Sequence, residues 1–119
     1  MVRHPPAGNA AKNIFQTEGF TDTYAPNPAI EAFATAIGGD IVQTANAKQL
    51  DGLTLRGRTI VAPPITNNVN GATAVLAQYN QQPGSDGHFV VFDIPAAQTQ
   101  SSQFLGTLAT SGTATVVSP

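Results

Sequence analysis

Two apolar runs, each leading through a turn-rich stretch to apolar positions at helical spacing, set the rhythm of this chain. Asn13-Ile14-Phe15-Gln16-Thr17-Glu18 passes from apolar to polar and stops at Gly19, which predicts a strand entering a loop. That loop, residues 19–26, is long enough to present a side chain at the strand's carboxyl end. Asn27 suits the N-cap of a following helix, Pro28 sits where its missing N–H costs nothing, and Gly38 suits the left-handed position past the end. Between them Ile30, Phe33, Ala34 and Ile37 recur at helical spacing and predict one apolar face. Residues 72–79 form a second strand, apolar enough to be buried on both faces. Turn formers over residues 80–87 then deliver His88. Phe89-Val90-Val91-Phe92 reads as either a brief strand or an apolar plug. After Pro95, the positions of Ala97, Ser101, Phe104, Leu105 and Leu108 predict a second amphipathic helix, closed by Gly112.

The pattern weakens between Gly39 and Gly71. Residues 40–50 suit another helical turn or two. Residues 54–65 mix β-branched side chains with Gly57, Pro63 and Pro64, which predicts at most a short or edge strand. Asn67, Asn68 and Asn70 read as a turn cluster. Strand–loop–helix occurring twice points to the α/β class with a parallel sheet. One partial domain is expected over residues 1–119, with a linker-like lead at 1–11, two strand–helix units at 12–110 and a tail at 111–119. In parallel sheets ligands sit beyond the carboxyl ends of the strands. Asp22 and His88 each follow a strand in that position, so neighbouring strands would bring them to one edge.

Composition narrows the partners. Only 10% of the residues are charged, against roughly 25% in an average soluble domain. Thr, Ala, Asn, Gln and Gly fill the difference and imply a neutral polar surface, common among secreted and envelope proteins. Lys12, Lys48, Arg3, Arg56 and Arg58 are scattered and the net charge is −2, which argues against nucleic acid. Absence of cysteine excludes disulfides, thiolate metal sites and a cysteine nucleophile. His4 and His88 make no local metal-ligand spacing, so no metal is expected. The first residues lack the apolar run of a signal peptide, and no stretch approaches the ~20 apolar residues of a membrane span.

His88 is the candidate base, since an imidazole exchanges protons near neutrality. An acid in the loop after one strand and a histidine after the next form the downstream half of a nucleophilic triad. There the histidine takes a serine's proton and the carboxylate holds the imidazole's tautomer. Asp22 is the favoured acid. Glu18 and Asp86 are rivals, Asp86 the weaker because a side chain rarely folds back onto the ring two residues on. The plain alternatives are an exposed loop histidine and a turn aspartate. Phe89, Phe92, Phe104 and Leu105 are expected in the core, and Phe20 and Tyr24 flank the acid loop.

Residues 12–26 (Lys-Asn-Ile-Phe-Gln-Thr-Glu-Gly-Phe-Thr-Asp-Thr-Tyr-Ala-Pro) and 86–92 (Asp-Gly-His-Phe-Val-Val-Phe) resemble the acid and histidine loops of bacterial α/β-hydrolases. The likeness is to secreted or envelope lipases and esterases, and it spans residues 10 to 110 or so. It implies the C-terminal portion of an α/β-hydrolase fold with an incomplete sheet, residues 12–110 being its last two strand–helix units. It also implies an ester or lipid substrate, no cofactor, His88 as general base and acid, Asp22 as its orienter, and Phe20 and Tyr24 lining an acyl pocket. The family's Gly-x-Ser-x-Gly elbow does not occur, because none of Ser85, Ser101, Ser102, Ser111 and Ser118 lies between glycines at that spacing. The oxyanion-hole loop is missing as well. The chain alone is therefore expected not to turn over an ester. Its nucleophile would come from a preceding segment or a separate chain, and it is expected to bind that segment, to self-associate or to be partly ordered. The reading from a different class is a non-catalytic binding or structural module of an envelope protein.

Overall fold

The computed structural model describes residues 4–119; residues 1–3, part of the expected linker-like lead, lie outside the described residues. In chain order it contains β1 (Ile14–Gly19), α1 (Asn27–Ile37), β2 (Asp40–Val42), α2 (Asp51–Thr54), β3 (Ile60–Val61), β4 (Ile65–Thr66) and β5 (Ala74–Tyr79). A 3-10 turn (Gly87–Phe89), α3 (Val90–Asp93), α4 (Pro95–Ser111) and β6 (Thr115–Val116) follow. Four strands form a parallel sheet in the order β1-β5-β2-β3, and β4 pairs antiparallel with β6. The α/β class with a parallel sheet is thus present.

Side-chain alternation along each strand decides what covers each face of the sheet. Phe15 of β1 and Val75, Ala77 and Tyr79 of β5 point toward α4, where Ala97 and Phe104 meet them. The Phe15 and Phe104 rings lie 5.4 Å apart. Leu76 of β5 and Ile41 of β2 point the other way, onto Ala34 of α1 and Leu53 of α2. All six residues of β5 are buried, as expected of a central parallel strand. Gly38 and Gly112 end α1 and α4 in left-handed conformations at φ 71° and 74°.

Several expectations are corrected. Residues 40–50 do not begin with a helical turn; Asp40, Ile41 and Val42 form a fully buried strand between β5 and β3. The three-residue segment is too short to show its period, and the sheet on either side decides it. Asp40 tolerates this burial because Asn68 donates to its carboxylate at 2.7 Å and Arg58 lies 3.4 Å away. Residues 89–92 are helical, neither strand nor plug, and Phe92 is 71% exposed. Leu105 and Phe33 also face outward, because α4 and α1 bury narrow stripes built on Ala97 and Ala34. Residues 111–119 are more than a tail. Ala114 and Val116 are fully buried against the α4 face, and β6 pairs Val116 with Ile65.

Both sheet faces carry helices. What remains open are the two edges of the sheet, β1 and β3. Among the described residues no strand pairs with the outer side of β1. The N–H groups of Ile14 and Phe20 donate toward β5, so the alternate residues Phe15 and Thr17 turn their backbone groups outward. Beside this edge Ile14, Phe15, Phe104 and Leu105 border a groove of about 350 Å³.

Adjacent residues of α4 separate burial from hydrophobicity. Phe104→Ala is expected to lower the unfolding free energy by about 3 kcal/mol in denaturant titrations, whereas Leu105→Ala changes it by less than about 0.5 kcal/mol.

Candidate acid–histidine site

β1 and β5 pair in parallel with Gly19 opposite Tyr79, so the loops that follow leave the sheet side by side. They then touch through bare backbone. A Cβ placed on Gly19 would lie 2.2 Å from the Gly87 carbonyl oxygen, and one on Gly87 would lie 2.8 Å from the Asp22 nitrogen. No other residue type permits that approach. The Gly87 N–H donates to the Thr21 carbonyl at 2.8 Å, which stitches the histidine turn to the acid loop.

Against this seam, His88 Nδ1 lies 3.2 Å from Asp22 Oδ2. The Asp22 side chain is 6% exposed and the His88 side chain 45%. Asp22 Oδ1 accepts from the Tyr24 and Ala25 N–H groups at 2.9 and 2.7 Å, which locks the carboxylate in a turn of its own making. Because an ionised carboxylate only accepts, the pair assigns the imidazole's proton to Nδ1. Nε2, which makes no hydrogen bond among the described residues, is left as the free nitrogen.

Asp86 does not serve the imidazole, although it is close in sequence. It caps the 3-10 turn by accepting from the His88 N–H at 2.9 Å, and it accepts from the Thr23 hydroxyl at 2.5 Å and the Thr23 N–H at 3.2 Å. The Thr23 hydroxyl first, and then the His88 N–H, hold the Asp86 carboxyl below its ordinary value. Glu18, the other rival, is buried behind the loop, with Gln78 and Asn27 donating to its two oxygens at 2.8 and 2.9 Å. Asn27 also donates to the Gly19 carbonyl at 2.8 Å. It is therefore not the N-cap of α1. Pro26 holds that position, and the Asn27 side chain braces the acid loop instead.

A cavity of about 210 Å³ opens beside the pair, bordered by Thr17, Asp22, Ala25, Ile30, His88 and Val90. Phe20 and Tyr24 lie outside its lining. Phe20 carries the Lys48 ammonium over its ring at 4.5 Å, and Tyr24 packs on His88 with ring centroids 4.9 Å apart. Ser85 is near in sequence, yet its hydroxyl donates to Asp93 at 2.5 Å. Among the described residues no serine hydroxyl bonds to His88, and no group of three His, Asp or Glu side chains could hold a metal. His4 is exposed, and no helix is long and apolar enough to cross a membrane. The bracing roles of Thr23, Asn27 and Asp86 were not read from the sequence. The Asp-Gly step before His88 was the available signal.

Gly19→Ala is expected to push the two loops apart, with faster exchange of the Gly87 amide and a drop in thermal midpoint that Gly106→Ala, whose Cβ would meet nothing, does not show. Since the Asp86 pKa is depressed in the folded chain, its stabilisation is fully present above the ordinary value of 3.8 and disappears as pH falls through the folded value. Unfolding curves of the parent and Asp86→Asn should therefore differ at neutral pH and converge as pH falls through the lowered Asp86 value. Comparison of the chain with family models, curated proteins and solved structures finds no match.

Proposed function

We propose that this chain supplies the acid and the histidine of a Ser-Asp-His hydrolase acting on carboxylic esters, lipid or short acyl. The observation that carries the reading is the division of labour within one buried carboxylate. Asp22 Oδ1 is consumed by two backbone N–H groups while Oδ2 faces His88 Nδ1 at 3.2 Å. An imidazole held in that way keeps Nε2 unprotonated and available to remove a proton from a hydroxyl. The imidazolium so formed is stabilised by Asp22 across the Nδ1–H bond, and Nε2–H then protonates the leaving alcohol. The resemblance of residues 12–26 and 86–92 to hydrolase loops supports the same assignment.

The nucleophilic serine and the oxyanion donors belong, in this proposal, to another segment bearing a Gly-x-Ser-x-Gly elbow. The unpaired outer edge of β1 and the apolar groove beside it offer that segment a place to add to the sheet. No cofactor enters the chemistry, and a secreted or envelope location accords with the family resembled. A non-catalytic binding module is the second reading, favoured by the lack of any serine bonded to His88 among the described residues.

Mixing the chain with a segment carrying the serine elbow should produce hydrolysis of a nitrophenyl ester and labelling by a fluorophosphonate, neither of which the chain gives alone. His88→Ala should reduce the reconstituted kcat about a millionfold, and Asp22→Asn about ten-thousandfold through the wrong tautomer. Stable association without turnover or labelling would favour the binding module.

A further inference from the structure

His88 is not held by Asp22 alone. The Tyr24 ring lies against its imidazole at 4.9 Å with a 37° tilt, and the Phe89 ring meets it edge-on at 5.3 Å and 90°. Tyr24 and Phe89 also touch one another, at 5.7 Å and 73°, so the three rings close a triangle. The two edge-on contacts of Phe89 are of the kind that aromatic quadrupoles favour. Tyr24 is 69% exposed, and its ring contacts among the described residues are His88 and Phe89, so burial does not explain its place.

A single hydrogen bond is a weak restraint on a ring as exposed as this one. Rotation about χ2 of a histidine is soft and roughly twofold, and a half-turn would put a carbon where Nδ1 now meets Asp22. Water competes for the same nitrogen. Rings on two sides of the imidazole oppose that rotation without using either nitrogen. The clamp is also tied to the acid, because Asp22 Oδ1 holds the Tyr24 N–H at 2.9 Å while Oδ2 faces the imidazole.

The geometry points to Tyr24 and Phe89 as positioning residues that clamp the imidazole of His88, keeping Nδ1 on Asp22 and Nε2 turned to the reacting hydroxyl. Its catalytic consequence rests on the triad reading above, whereas the clamp itself does not. Tyr24 therefore acts on the base and not on an acyl chain.

The test is made first on the chain alone, by ¹⁵N-edited NMR of the neutral imidazole. The parent should show the Nδ1–H tautomer in excess and His88 ring protons displaced upfield by the neighbouring rings. Tyr24→Phe should preserve both features. Tyr24→Ala and Phe89→Leu should each reduce the upfield displacement and move the tautomer ratio toward the Nε2–H form of free imidazole. Backbone amide spectra unchanged outside residues 19–26 and 85–92 show that the fold is kept, as the exposure of Tyr24 leads one to expect. An unaltered tautomer ratio in a folded Tyr24→Ala variant overturns the clamp. In the reconstituted hydrolase, Tyr24→Ala should lower kcat about tenfold with KM unchanged, and Tyr24→Phe should restore it. A raised KM with kcat intact would overturn the positioning role in favour of substrate contact. Failure of reconstitution bears on the triad reading alone and leaves the NMR result standing.

Discussion

Gly19 and Gly87 meet with no side chain between them, and the site's geometry follows from that contact. β1 and β5 set their loops down side by side, yet adjacent strands alone would leave the loops a side chain's width apart. Two glycines remove that width. The Gly87 N–H can then reach the Thr21 carbonyl, Asp86 can reach Thr23, and the Asp22 carboxylate can meet an imidazole from the opposite loop. Each of these bonds is modest by itself. They act together because one close approach makes them all possible.

Behind the seam lies a buried polar layer with its own logic. The Glu18 carboxylate sits between the side-chain amides of Gln78 and Asn27, and the Gln78 side-chain oxygen Oε1 accepts from the Lys48 backbone N–H at 2.7 Å. The layer connects β1, β5, the start of α1 and the β2–α2 connection. A buried carboxylate satisfied in this way is costly to disturb, since removing either amide leaves one of its oxygens without a donor. Hence Asp22 rests on a rigid floor, while His88 at the rim keeps the exposure a proton-transfer group needs.

Local pattern carried the parts of the fold that local physics controls. The strand at residues 13–18, the apolar run at 72–79, and the helices ended by Gly38 and Gly112 all follow from period and punctuation within about a dozen residues. β2 could not be read in this way. Its three residues are a strand because β5 and β3 hold them on either side, and Asp40 is admitted to that place by Asn68 and Arg58. Phe33, Phe92 and Leu105 were misplaced for a related reason. Hydrophobicity says what can be buried, but the width of the contact between helix and sheet decides which residues are.

From residue order alone came the class of fold, an acid after one strand, a histidine after another, and the glycines beside them. Those are local facts, written in turn chemistry and side-chain period. Tertiary structure decided that β5 lies beside β1, although Asp22 and His88 are 66 residues apart in the chain. It also decided that Asp22 and not Glu18 or Asp86 faces the imidazole, and that Tyr24 lies on the ring. Strand adjacency and side-chain direction depend on packing between distant segments, and no window of sequence contains both partners of such a contact.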